Sequence, residues 1–381
     1  MKEIYLDNSA TTRPLDEVVD IVSETLRKNY GNPSSLHNKG LAAEKIMKNA
    51  RNKIASKLSV DPGEIYFTSG GTESNNLAVK GIAYNYQNRG KHLITTGVEH
   101  ASVLEVFLSL EEEGFEVTYL KPDKYGYISL EELSENIKEN TTLVSIIHIN
   151  NELGTIQPLS KIGKIIKEKN KNTFFHTDCV QSFGKVLLKP EESNLDLLTI
   201  SGHKIHGPKG IGALYKRKGV EIKAQMLGGG QEDGVRCGTE NVPGIAGLIP
   251  AVDALPDFDT QNPYNKELDK LKKHFIKKVK KIKRDFIINS PEDSAPHIVN
   301  ISFPGTRGEV LVHSLESEGI YVSTGSACHS KSKEKSHVLR AIGLPAEQID
   351  GTIRISFSHF IDKKDIEYTI DILNEQLNTF F

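Results

Sequence analysis

The sequence predicts an α/β protein. A large domain is built on a mostly parallel sheet flanked by helices, and a smaller α+β domain accompanies it. Three observations carry this reading. Short apolar runs alternate with helical patterns from about residue 64 to about residue 250. The runs are continuous rather than alternating with polar residues, as in strands buried on both faces. Beyond "PDFDTQNP", 256–263, the pattern changes to strands and helices joined by short connections. The expected boundaries are 14–255 for the large domain, with 1–13 and 256–381 in the small one.

The elements follow in order. "MKEIYLDNSATT" reads as a short strand and a turn, and residues 14 to 29 as a helix opening at Pro14. From about Leu36 to Leu58, the apolar residues Ile46, Ala50, Ile54 and Leu58 recur every four positions, one face of a helix. "EIYFTS" precedes a helix beginning near Thr72; "HLITTG" precedes "HASVLEVFLSL"; "EVTYL" precedes "SLEELSENIKE". "TTLVSIIHI" precedes "LSKIGKIIKEK", and "TFFHTD", "LDLLTIS" and "GIGALYKR" complete the series. After the linker, Leu268, Leu271, Phe275, Val279 and Ile282 form the stripe of an amphipathic helix over 266–284. That segment carries ten Lys or Arg, which read as a solvated face opposite the stripe. "HIVNISFPG", "EVLVHSLESEGIYVS", "IRISFS" and a helix from about Lys363 finish the chain.

The totals exclude several classes. Lys plus Arg is 48 and Asp plus Glu is 50, a net charge of -2, so a nucleic-acid coat is not expected. No apolar run reaches membrane-spanning length, and the N-terminus lacks a signal peptide's apolar core. A cytoplasmic protein with reduced thiols is expected, because Cys179, Cys237 and Cys328 are too few and scattered for a disulfide framework.

In parallel α/β sheets, ligands bind beyond the carboxyl ends of the strands. The residues there are Gly71 and Thr72 at a helix start, His100, Asn150, Asn151, Glu152, Asp178, Gln181, Ser201, His203 and Lys204. Each alone is ordinary: a histidine is more often a satisfied structural residue, and a lysine a surface charge. Convergence on one sheet edge favours a site. "GPKGIG" does not fit the phosphate loop G-x-x-x-x-G-K-[ST], no G-x-G-x-x-G follows the first strand, and H-E-x-x-H is absent. One cofactor would use the whole set. Pyridoxal 5'-phosphate needs a lysine for its Schiff base, a carboxylate for its ring nitrogen, a stacking group and a phosphate cradle. Lys204, Asp178 and His100 fill the first three roles, and Gly71, Thr72, Ser201 and His203 the fourth.

The chain resembles the cysteine desulfurases of the NifS/IscS type, within the class V aminotransferase-like, fold-type-I PLP enzymes. The motifs are "YLDNSATT", "YGNPSSLH", "FTSGGTESNN", "EHASVL", "NNELGTIQP", "HTDCVQSFGK", "SGHKIHGPKGIGALY", "GGGQEDGVRCGTENV", "STGSACHS", "SHVLRAIGL" and "IRISFS". The resemblance implies release of alanine from L-cysteine and transfer of its sulfur to Cys328, in a loop of about 323–336. It implies a homodimer in which Thr239 completes the partner's phosphate site. It also implies that Gln181 contacts the cofactor's phenolic oxygen and that Asn151 and Arg354 take the substrate carboxylate. His100 would assist proton transfer at the substrate thiol as well as stack. Cys179 and Cys237 stand where the family usually has small residues and read as packing variants.

Rival readings are another fold-type-I enzyme, such as an aminotransferase or selenocysteine lyase, and a non-catalytic sulfur-handling scaffold. The sulfur acceptor would be an iron–sulfur scaffold or a tRNA-thiolation enzyme. Lys331, Lys333 and Lys335 after Cys328 would steer an acidic or RNA-bound acceptor.

Overall fold

The structure is a computed structural model describing residues 2–324 and 335–380. A short strand β1 (Ile4–Tyr5) leads through a turn to helices α1 (Asp16–Lys28) and α2 (Asn38–Leu58). α1 begins two residues after Pro14, with Asp16 and Glu17 in its first turn, where the helix dipole favours acids. Alternation then sets in: β2 (Ile65–Thr68), α3 (Gly71–Tyr86), β3 (His92–Thr96), α4 (Ala101–Glu112), β4 (Glu116–Leu120) and α5 (Leu130–Asn136). β5 (Thr141–Ser145), α6 (Leu159–Lys169), β6 (Phe174–Asp178), β7 (Leu197–Ser201), β8 (Gly212–Lys216) and α7 (Val242–Asp253) follow. β5 is shorter than its apolar run suggests, but the amides of Ile146 and His148 still donate to His176 O and Asp178 O at 3.1 Å.

The seven-stranded sheet has the order β2-β8-β7-β6-β5-β3-β4. β8 is antiparallel to both neighbours, and the remaining pairings are parallel. Successive strand residues face opposite layers, which explains the unbroken apolar runs. Leu93, Leu143, Leu197 and Leu214 pack with Leu77, Ile82, Val103 and Phe107 of α3 and α4. Their chain neighbours Ile94, Val144, Leu198 and Tyr215 pack on the other face with residues of α1, α2, α5, α6 and α7.

The C-terminal part contains α8 (Lys266–Val279), β9 (Ile287–Ile288), β10 (Ile298–Ser302), α9 (Gly308–Glu316), β11 (Ile320–Tyr321), α10 (His337–Ala341), α11 (Ala346–Asp350), β12 (Thr352–Ser356) and α12 (Lys363–Phe380). β12, β10 and β9 form an antiparallel sheet in that order. Its core joins Phe275, Val299, Ile301, Leu311, Ile353, Ile355 and Leu373. Ile4 and Leu6 belong to this core, and β1 pairs with β11. The N-terminus thus packs with the C-terminal elements while the chain between builds the large sheet.

α8 differs from its expected form in two ways. It ends at Val279, although Ile282 still packs into the core. Its charges are not all on a solvated face: Lys272 is 3 % exposed. Its ammonium donates to Ser294 O and Ala295 O, each at 2.9 Å, and to Ser294 Oγ. Burial pulls this lysine down to about 8. The neighbouring Lys273 instead makes an exposed pair with Asp269. Truncating Lys272 would strand several acceptors, so Lys272→Ala should cost about 2–4 kcal/mol in urea unfolding. Lys273→Ala should cost at most about 0.5 kcal/mol. Equal losses for the two variants would contradict this reading of the helix.

Candidate active site

Five strands of the large sheet deliver side chains to one cavity of about 350 Å³ at their carboxyl ends. Its walls include Gly71 and Thr72 after β2, His100 after β3, Asn151 after β5, Asp178 and Gln181 at β6, and Ser201, His203 and Lys204 at β7. Arg354 from β12 and Ser9 and Ala10 from the N-terminal turn close it.

 Ten of the twelve residues expected in the site line this cavity. Thr239 is exposed and lines a smaller hollow with Ser69 and Arg236. Cys328, with Lys331 and Lys333, lies outside the described residues.

Lys204 ends a tight turn, Gly202–Lys204, directly after β7. A Cβ on Gly202 would come within 2.8 Å of Leu248 Cδ2 and 3.1 Å of Ile211 O, so the turn can sit this close to the sheet only with glycine there. The Lys204 ammonium donates to Ala10 O at 2.7 Å and to Ser9 O. Asp178 is 4 % exposed. Its Oδ1 accepts from Val180 N at 2.9 Å and its Oδ2 from Asn75 Nδ2 at 2.8 Å. Gln181 donates to Ser9 O at 2.9 Å, and its Oε1 lies 3.3 Å from His297 Nε2.

His100 caps α4 by accepting from Ser102 N at 3.1 Å. His203 lies 3.1 Å from Thr11 Oγ1, and burial, helped by Lys204, pulls it down to about 4. Arg354 pairs with Asp7 at 2.7 Å and donates to Asn151 O at 3.0 Å. Two carboxyl groups near the cavity are pushed toward their neutral forms by burial, Glu152 up to about 7 and Glu99 up to about 8. Glu152 accepts from Ser336 Oγ at 2.6 Å.

His176 is structural. His176 lies between Ser145 Oγ at 2.8 Å and Thr199 Oγ1 at 3.1 Å, and burial pulls it down to about 3. Cys179 and Cys237 are both buried, and burial pushes the Cys179 thiol up to about 12. Lys335 is paired with Asp350 at 2.9 Å on the surface. No cluster of three metal-ligating side chains occurs among the described residues. No described helix is long and apolar enough to cross a membrane.

Sequence reasoning missed Asn75, Ser102, His297, Asp7 and the Ser9 and Ala10 carbonyls. Asn75 had a signal: it stands four residues after Gly71, one turn along the same helix face. The carbonyls had none, because backbone acceptors are not encoded in residue type.

Glu99 makes its environment testable. Its Oε1 accepts from Thr96 Oγ1 at 2.9 Å and Ile147 N at 2.8 Å. With a folded pKa of about 8 against an ordinary value of 4.5, the folded state keeps a proton that the unfolded state has lost. The associated stability is present below the lower value and is lost as pH rises through the higher one. Glu99→Gln should therefore gain on wild type between about pH 5 and 8, by roughly 2–4 kcal/mol at the upper end, in urea unfolding. A difference independent of pH would show that Glu99 is ionised in the fold.

Comparison with known proteins identifies the family. Residues 4–369 match the family described as aminotransferase class-V. The cysteine desulfurase IscS of Dictyoglomus turgidum is 44 % identical over 383 residues, covering 99 % of this chain and 96 % of the relative. A solved structure titled NifS-like protein has a TM-score of 0.92 at 39 % identity, covering 99 % of this chain and 100 % of that one. Another, titled SspA in complex with cysteine, has a TM-score of 0.82 at 37 % identity, covering 93 % and 99 %. The chain belongs to the class-V aminotransferase family and, within it, to the cysteine desulfurases.

Proposed function

We propose that the cavity holds pyridoxal 5'-phosphate and that the chain converts L-cysteine to L-alanine, leaving the sulfur as a persulfide on Cys328. The observation that carries the reading is that Lys204 and the buried Asp178 carboxylate line one cavity. The residues fit the cofactor. The N-terminus of α3 at Gly71 and Thr72 offers backbone amides for a phosphate, with Ser201 and His203 beside it. Gly71 lets the start of α3 sit close against the sheet, since a Cβ there would come within 2.8 Å of Val180 Cγ2. Asp178 would pair with the ring nitrogen, Gln181 with the phenolic oxygen, and Lys204 would tether the group. When bound, the cofactor supplies an electron sink for bonds at the substrate's carbon atoms.

The protein's own groups do the rest. Arg354 would take the substrate carboxylate with Asn151; the buried Arg354 Nε has no hydrogen-bond partner among the described residues. Lys204 would move the proton at the substrate's α-carbon, and Cys328 thiolate would take the sulfur. In the net exchange L-cysteine and the Cys328 thiol become L-alanine and a Cys328 persulfide, so no outside oxidant or reductant is needed. Thr239 lies outside its own cavity and is exposed, which supports a homodimer in which it completes the partner's phosphate site. We propose a large domain over 14–255 and a small domain over 1–13 and 256–381, a cytoplasmic location, and an iron–sulfur scaffold or tRNA-thiolation enzyme as acceptor.

Cys328→Ala should keep the yellow cofactor absorbance and lose alanine release by about a hundredfold or more, because the acceptor thiol acts after cofactor binding. Mass spectrometry of wild type after L-cysteine should place one extra sulfur on Cys328. Finding it on Cys179 or Cys237 instead would overturn the choice of nucleophile.

A further inference from the structure

A chain of hydrogen bonds runs along the cavity wall from Asp178 to His100. Asp178 Oδ2 is a carboxylate oxygen and accepts only, so the amide nitrogen of Asn75 must face it, at 2.8 Å. The same nitrogen donates to Ser102 Oγ, also at 2.8 Å. Asn75 is fully buried, so neither bond is shared with solvent. Both amide protons of Asn75 are then used. Ser102 Oγ, having accepted one bond, keeps its own proton to give. His100 Nδ1 lies 2.8 Å away.

Nδ1 already accepts the backbone N–H of Ser102 at 3.1 Å, the cap of α4. Two donors, a backbone amide and a hydroxyl, therefore converge on this nitrogen. A proton on Nδ1 would face the amide N–H directly. The nitrogen must be the bare one, and a neutral imidazole then carries its hydrogen on Nε2.

We infer that Asn75 and Ser102 are positioning residues that hold His100 as the neutral Nε2–H tautomer, so that it meets a bound ligand as a hydrogen-bond donor. This rests on the proposed function only for what the ligand is. The consequence for the reaction is specific. Nε2–H has no lone pair in the ring plane, so a proton leaving a substrate thiol cannot pass to that nitrogen. The expectation that His100 assists proton transfer at the substrate thiol is narrowed to a role in which it donates toward the substrate or cofactor. Asn75 also ties this orientation to Asp178, so the group expected to meet the ring nitrogen and the group expected to stack on the ring share one amide.

The test is the tautomer itself, read from long-range proton–nitrogen correlations in the full chain labelled with 15N-histidine. Spectra are taken as purified and after cofactor removal, with His100→Gln to assign the signal. Wild type should show the Nε2–H form in both states. Ser102→Ala removes one donor and should raise the Nδ1–H population about fivefold, the worth of one hydrogen bond. Ser102→Thr, which restores a hydroxyl, should return the wild-type pattern. Asn75→Leu should move the population in the same direction as Ser102→Ala, although the side chain does not touch His100. An Nδ1–H signal in wild type, or the same populations in wild type and Ser102→Ala, would overturn the inference. An unchanged tautomer in Asn75→Leu would remove Asn75 from it. Because the measurement is also made without cofactor, it can fail while the proposed function stands, and the reverse.

Discussion

The rest of the site depends on one contact: the Lys204 ammonium held by the main-chain carbonyls of Ser9 and Ala10. These carbonyls belong to a turn pinned from two sides. On one side, Asn8 Nδ2 donates to Ser356 O at 2.8 Å, Ser9 N donates to Ser356 Oγ at 2.8 Å, and Arg354 pairs with Asp7. On the other, the amide and hydroxyl of Thr12 both donate to His203 O at 2.9 Å. The turn thus joins β12 to the loop after β7. The acceptors of the Lys204 ammonium are therefore held by contacts to both the C-terminal core and the large sheet.

Few full charges face the cavity. Burial shifts Glu99 and Glu152 toward their neutral forms and His203 toward neutral imidazole. Among the described residues, the charged groups left at the cavity are Asp178, Lys204 and Arg354 in its pair with Asp7. Fixed charges partly shielded from water act more strongly on a ligand than the same charges in bulk solvent. The arrangement suits a ligand that presents a cationic ring nitrogen at one end and a carboxylate at another.

Much of this was legible from residue order. The carboxyl ends of parallel strands lie on one edge, so reading the residue after each apolar run found Gly71, His100, Asp178, Ser201 and Lys204. Contacts made by backbone were not legible, as at Ser9 and Ala10. Nor were contacts whose two ends lie far apart in sequence, as Asn75 to Asp178 and Gln181 to His297. The basic helix misled for a similar reason. Lys272 looks like its lysine neighbours in sequence, and only the carbonyls of Ser294 and Ala295 distinguish it.

The central claim is that Lys204, and no other lysine, carries the cofactor. Lys185 is the informative competitor, since its ammonium donates to Lys204 O at 3.3 Å and burial pulls it down to about 8. The measurement is borohydride reduction of the purified yellow protein, followed by digestion and mass spectrometry of the lysine peptides. The account predicts a stable phosphopyridoxyl group on Lys204 alone. The same group on Lys185, or a protein that reduces without labelling Lys204, would contradict it.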